Sequence, residues 1–398
     1  MPKYQLALEG GPPVRTHPFP AWPVFDQREE QAILKVLHSG QWGIFGGDRV
    51  ATFESKFAAF QNAKFGVCVP NGTLALEMAL RALGVGPGDE VITTPYTFIA
   101  TSSSILTVGA QPVYVDIEPD SFNLDPAQIE AAITDKTKAI VPVHIAGQAA
   151  DMDAIMEIAH RHNLRVLEDA CQAWGAEWRG QRVGAIGALG TFSFQASKNI
   201  TAGEGGIVIT NDEELAEFCW SYHNVGRIKS GAWYQHELLG ANLRMAEWEA
   251  AILLVQLERL REHMPIREAN ARYLGEALSQ VGGLTPLPDD PRVTQHARHL
   301  FITRYDPARF GGHSRQEFIN ALHAEGITAC SAGYNPLYAS GAIRRELARL
   351  NIAEMPNCPV TERAAQEAVW FQQTVLLGDH GDMDSIAEAV AKIKQAWD

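Results

Sequence analysis

Between Phe65 and Thr210 the sequence alternates short apolar runs with helix-like segments, and this alternation restricts the fold more than any other feature. Apolar runs lie at Phe65–Pro70, Glu90–Pro95, Gln111–Ile117, Lys138–Ile145, Arg165–Ala170, Gly190–Ala196 and Gly206–Thr210. Several are apolar on both faces, as expected of strands buried between two helix layers. Asn71-Gly72-Thr73 leads from the first run into a helical pattern over Leu74–Leu83. Asp151 can cap a helix running to Asn163, with Ile155, Ile158 and Ala159 on one side. Strand, helix and strand in this order imply a mainly parallel α/β sheet, with ligands beyond the carboxyl ends of its strands.

The pattern changes at Met245, where MAEWEAAILLVQLERLREHM reads as a long helix ending before Pro265. It is apolar nearly all round at Ala250–Val255 and needs cover on most sides. A large domain over 1–267 and a smaller α+β domain over 268–398 follow from that change. In the second part His299–Tyr305 is a strand candidate, and Ser314-x-x-Glu317 is a capping box for a helix that Gly326 ends. The last helix has Asp382 as its expected cap and a core stripe of Ile386, Val390, Ile393 and Trp397.

The 398 residues carry 33 Lys+Arg against 47 Asp+Glu, a formal charge of −14. A field of that sign repels nucleic acid and anionic lipid, and no basic run offsets it locally. An anionic ligand must therefore meet positive groups concentrated inside a site. The N-terminal stretch lacks the apolar core of a signal peptide, and no run is long enough to cross a membrane. Cys68, Cys171, Cys219, Cys330 and Cys358 are odd in number and scattered, which fits reduced thiols and a cytoplasmic location.

The segment Val166–Asn211 carries the chemistry. Asp169 ends an apolar strand, where a carboxylate needs a cation or hydrogen-bond donors; a helix cap is the plainer use of the same position. Lys198 follows the next strand and precedes Gly203-Glu204-Gly205-Gly206, so it can be a desolvated amine nucleophile or a solvated loop charge. Asn71-Gly72-Thr73 opens a helix, where backbone N–H groups can receive a phosphate or Thr73 can simply cap. Taken together, the three suggest pyridoxal phosphate, which needs a Schiff-base lysine, an acid for its ring nitrogen and a phosphate cradle. Competing signatures fail: Gly184, Gly187 and Gly190 have the wrong spacing for a dinucleotide fingerprint, no P-loop is present, and His160 and His162 point to different sides of their helix.

Over nearly its whole length the chain resembles the DegT/StrS-type sugar aminotransferases, a fold-type I group of pyridoxal-phosphate enzymes. The resemblance is carried by SGQWGIFGG (Ser39–Gly47), NGTLAL, PYTFIAT (Pro95–Thr101), VPVHIAGQAADMDAI, LEDACQAWGA, FSFQASKNITAGEGG and GANLRM (Gly240–Met245). It implies that Lys198 attaches the cofactor, that Asp169 pairs with the ring nitrogen, and that Gln172 stands near the phenolic oxygen. It assigns Gly72, Thr73 and Ser193 to the phosphate. Phe98 is implied on the ring face, with Tyr96 as the alternative on the same strand face. Asn242 is implied to reach the cofactor of a neighbouring subunit, which makes the protein a homodimer with shared sites.

The resemblance further implies transamination from glutamate or glutamine to a keto-sugar or keto-cyclitol. Its segments are closest to the scyllo-inosose aminotransferases and aminohydroxybenzoate synthase, while a non-catalytic regulator on the same fold is the binding-protein alternative. One departure stands out: where many relatives have His-Gly after a basic residue, this chain has Tyr222-His223-Asn224-Val225-Gly226-Arg227. The cations Arg227, Lys229 and Arg244 could serve a diphosphate or a donor carboxylate, or pair ordinarily on the surface.

Overall fold

The computed structural model describes residues 5–350, 352 and 356–397. The apolar runs form one seven-stranded sheet in the order Phe65–Val69, Gly206–Thr210, Leu189–Ser193, Arg165–Asp169, Thr137–Val141, Glu90–Thr93, Gln111–Tyr114. Gly206–Thr210 pairs antiparallel with both its neighbours, and the other pairings are parallel. Six strands therefore share one direction, and their carboxyl ends lie along one edge. Asp169 ends its strand there, Asn71 follows Val69, and Lys198 lies beyond Ser193.

Helices Gly72–Ala82 and Met152–Arg161 form as the pattern requires, the second capped by Asp151 Oδ1 accepting from Ala154 N–H at 3.1 Å. The first is capped by Asn71, whose Oδ1 accepts from Leu74 N–H at 2.9 Å, so Thr73 is released from capping. On one sheet face Phe53, Phe57, Phe192 and Phe194 are fully buried, meeting edge to face at 5.1–5.3 Å between centroids.

A second sheet, antiparallel throughout, has the order Leu284–Pro286, Leu300–Tyr305, Ala368–Gln372, Cys330–Ala332. The Ser314 capping box opens helix Arg315–Ala324. The last helix differs from expectation at its start. Asp382 N–H donates to Asp379 Oδ1 while Asp379 N–H donates to Asp382 Oδ2, both at 3.0 Å, so Asp379 takes the capping place.

The long helix also departs from the sequence reading, running unbroken from Glu247 to Val281 through Pro265. Proline is exposed here, as is Arg261 one turn earlier, so the carbonyl it leaves unpaired faces water rather than the core. Leu253, Leu257 and Leu260 pack under the large sheet, while Ala271, Leu274 and Leu278 pack with the second sheet. Arg267, fully buried at the changeover, donates from Nε to Gln373 Oε1 at 3.0 Å. The N-terminal residues Leu6, Val14 and Phe19 join the second core.

Candidate active site

Asp169 is 5% exposed, and both its carboxylate oxygens are occupied: Oδ2 accepts from Thr101 Oγ1 at 2.8 Å and Oδ1 from Cys171 N–H at 3.2 Å. Its backbone is fixed as well, its N–H donating to Pro142 O at 2.9 Å and its carbonyl accepting from His144 N–H at 3.1 Å. A buried carboxylate held in this way keeps a defined orientation.

Lys198 stands above the ring of Trp174, Nζ to centroid 6.0 Å, and Trp174 is itself anchored by Nε1 donating to Ser193 O at 3.1 Å. Burial lowers the affinity of the Lys198 amine for its proton, while Asp169 and Cys171 pull the other way. His299 lies behind Trp174, centroids 5.5 Å apart. Burial holds this imidazole well below its usual range, and nearby Lys198 and Arg267 add to the effect.

Gly72 and Ser193 meet where two strand ends converge on the start of helix Gly72–Ala82. A Cβ built on Gly72 would lie 2.7 Å from Ser193 Cβ and 3.1 Å from Cys171 Sγ, so only glycine allows this approach. First-turn N–H groups of a helix have no intrahelical acceptor, and the positive end of the dipole lies there. Thr73 is exposed beside them.

Gln172 is buried and doubly engaged: Oε1 accepts from Ala146 N–H at 2.7 Å, and Nε2 donates to the Tyr334 hydroxyl at 3.2 Å. Burial pushes the Tyr334 phenol up to about 12, so it remains protonated. The two aromatics of the Pro95–Thr101 segment part company. Tyr96 is fully buried against Phe122, Tyr334 and Trp370, which removes it as a stacking candidate, whereas Phe98 is 55% exposed.

Asn242 is exposed and pairs through its backbone with Asn224. Around its segment Trp42, Phe45, Trp233, Tyr234, Leu239 and Trp248 are also exposed. Phe45 packs on Trp233 at 4.9 Å and Trp42 on Trp248 at 6.0 Å between centroids. Asn224 Oδ1 accepts from Arg244 Nη1 at 2.9 Å and Arg227 Nη1 at 3.3 Å, so two guanidinium groups share one neutral amide. His223 is buried, with Nδ1 on Trp220 O at 2.6 Å, so this imidazole is turned inward.

Three participants escaped the sequence reading. Thr101 and Tyr334 reach Asp169 and Gln172 from distant segments. The third is Glu168, fully buried beside Asp169, whose carboxylate accepts from Gly184 N–H (2.6 Å), Ile186 N–H (2.8 Å), Gly187 N–H (2.6 Å) and His144 Nε2 (3.0 Å). His144 Nδ1 accepts from Ala150 N–H, so the ring proton is on Nε2 and points at Glu168. The glycine-spaced segment thus cradles a carboxylate of its own chain.

The model of the DegT/DnrJ/EryC1/StrS aminotransferase family matches residues 23–391. The chain belongs to that family. A putative L-glutamine:3-amino-2,3-dideoxy-scyllo-inosose aminotransferase of Streptoalloteichus tenebrarius is 43% identical over 99% of this chain and 99% of its own. A pleiotropic regulatory protein of Geobacillus stearothermophilus is 43% identical over 81% of this chain and 83% of its own. The crystal structure of 3-amino-5-hydroxybenzoic acid synthase superposes with a TM-score of 0.87 at 35% identity, covering 95% of this chain and 99% of that one.

As a DegT/DnrJ/EryC1/StrS aminotransferase, the chain has the fold-type I architecture and uses pyridoxal phosphate. Its residues fit that cofactor. The Gly72 cradle is too narrow for any side chain, a fixed carboxylate and a desolvated lysine lie on the same sheet edge, and among the described residues neither Asp169 nor Lys198 forms an ion pair within 4.0 Å.

Proposed function

We propose that this aminotransferase takes an amino group from glutamine or glutamate and delivers it to the ketone of a scyllo-inosose-like keto-cyclitol. The observation that carries the acceptor class is the 43% identity, across 99% of both chains, to a relative named for an amino-scyllo-inosose. Lys198, Asp169 and Gln172 together support catalysis over the regulatory alternative, which has no use for a desolvated amine beside a fixed carboxylate.

In this reading Lys198 would attach the cofactor, Gly72, Thr73 and Ser193 would hold its phosphate with N–H groups and hydroxyls, and Phe98 would cover the ring. Asp169 would pair with the ring nitrogen and keep it protonated. Gln172, whose Nε2 already donates one proton to Tyr334, would offer the other to the phenolic oxygen. The bound cofactor supplies an electron sink for the carbon next to the migrating nitrogen. With the donor in place, the Lys198 amine would take the proton from the donor's Cα and pass it to the cofactor carbon that receives the nitrogen, and burial favours the neutral amine this requires. The same residue performs the reverse transfer on the acceptor.

Asn242 acts in a second copy's site, so the working unit is a homodimer. The exposed aromatics flanking its segment support this, since a patch of that kind marks an interface. The deciding assay gives loaded protein glutamine or glutamate, then either scyllo-inosose or a nucleotide-linked ketosugar. The expected result is an aminocyclitol from the first acceptor; amine formed from the nucleotide sugar alone overturns the assignment.

A further inference from the structure

The Asp169 carboxylate is positioned by a chain of hydroxyls from a segment 68 residues away in sequence. Thr101 is 1% exposed and Thr97 2%, and their Oγ1 atoms lie 3.1 Å apart. A hydroxyl has one proton. That of Thr101 goes to Asp169 Oδ2 at 2.8 Å, so in the contact between the threonines Thr97 is the donor. The direction is therefore fixed as Thr97 to Thr101 to Asp169.

The two threonines are four residues apart on either side of Phe98, where the chain turns into helix Ala100–Thr107. This turn closes without their hydroxyls, through Thr101 N–H donating to Phe98 O at 3.3 Å. Both side-chain donors thus remain directed along one line toward Asp169. The same short segment presents Phe98 outward and holds the carboxylate from within.

We propose that Thr101, backed by Thr97, is a positioning residue that fixes the Asp169 carboxylate for the ring nitrogen of pyridoxal phosphate. The inference rests on the reading of Asp169 given above. Without the Thr101 hydroxyl, Oδ2 loses its donor inside a buried site and the carboxylate gains freedom to turn.

The test compares binding of pyridoxal phosphate with that of its deaza analogue, in which carbon replaces the ring nitrogen, to cofactor-free protein. Thr101→Val keeps the shape and removes the hydroxyl. It should weaken pyridoxal phosphate binding about tenfold and leave the analogue unchanged, with the pH profile of the loaded protein's visible absorbance displaced. Thr101→Ser should restore both, and Thr97→Val should give a smaller loss of the same kind. An equal loss for both ligands, or no loss, overturns the proposal for Thr101. Asp169→Asn serves as the control: if it too fails to separate the ligands, the reading of Asp169 fails; if it separates them while Thr101→Val does not, only Thr101 is removed.

Discussion

Gly72 and Ser193 stand so close that a methyl group on the glycine would lie 2.7 Å from the serine Cβ. Gly72→Ala must therefore push the helix start away from the strand end, at a cost of about 1–3 kcal/mol in stability. It should also weaken cofactor binding, because the first-turn N–H groups move with the helix. Urea unfolding and titration of cofactor-free protein check the two effects; unchanged values in both would show that the strand ends yield without consequence.

Lys198→Met should abolish amino transfer and the visible absorbance of attached cofactor, and it should also change the pH dependence of stability. In the folded protein burial sets the lysine's pKa below the ordinary 10.5. Between those two values the unfolded chain binds more protons than the folded one, so stability rises with pH across that window. Cofactor-free Lys198→Met should thus be more stable than the parent at about pH 7, with the difference shrinking toward about pH 10. Thermal unfolding across that range gives the comparison, and parallel curves would contradict it.

Glu168 accepts four hydrogen bonds in a fully buried position, three from backbone N–H groups and one from His144. Glu168→Ala leaves all of these donors without an acceptor and should destabilise the fold by several kcal/mol, each orphaned buried donor costing about 1–3 kcal/mol. Glu168→Gln keeps the shape but, whichever way its amide turns, sets NH₂ against two of the four donors, so an intermediate loss is expected. A urea midpoint for Glu168→Ala equal to that of the parent would rule out this bonding as a source of stability.

If Lys198 and Asn242 serve one site from two copies of the chain, inactive variants should complement each other. Mixed Lys198→Ala and Asn242→Ala chains form heterodimers in which one site carries both defects and the other carries neither. With free exchange, about a quarter of the sites should be intact. Activity recovered on mixing measures this directly; no recovery after demonstrated exchange would place Asn242 outside the shared site.

Much of this arrangement was legible because ionisable residues at the ends of apolar strands are rare, which is why Asp169 and Lys198 stood out. Thr101 did not, since a threonine near a helix start has an ordinary local use and its partner lies far along the chain. The spacing of Thr97 and Thr101 around Phe98 was the available signal, placing two hydroxyls one turn apart. Glu168 was hidden for a different reason: adjacent strand residues face opposite sides of a sheet, so the residue beside Asp169 serves a separate network. The N–H groups of Gly184 and Gly187 turn inward to Glu168, a use that glycine spacing alone does not reveal. Pro265 misled because its effect depends on exposure, and spacing alone does not reveal which side of a helix faces water.

The unbroken helix Glu247–Val281 also limits how this protein can be recombined with its relatives. A chimera joined at Arg267 would cut a single rod whose two halves are embedded in different cores, so both faces would have to match a foreign partner at once. Leu6, Val14 and Phe19 pack with the C-terminal core, and an exchange would have to bring them along. The portable module is therefore discontinuous, made of both chain ends and the whole of the helix that joins them.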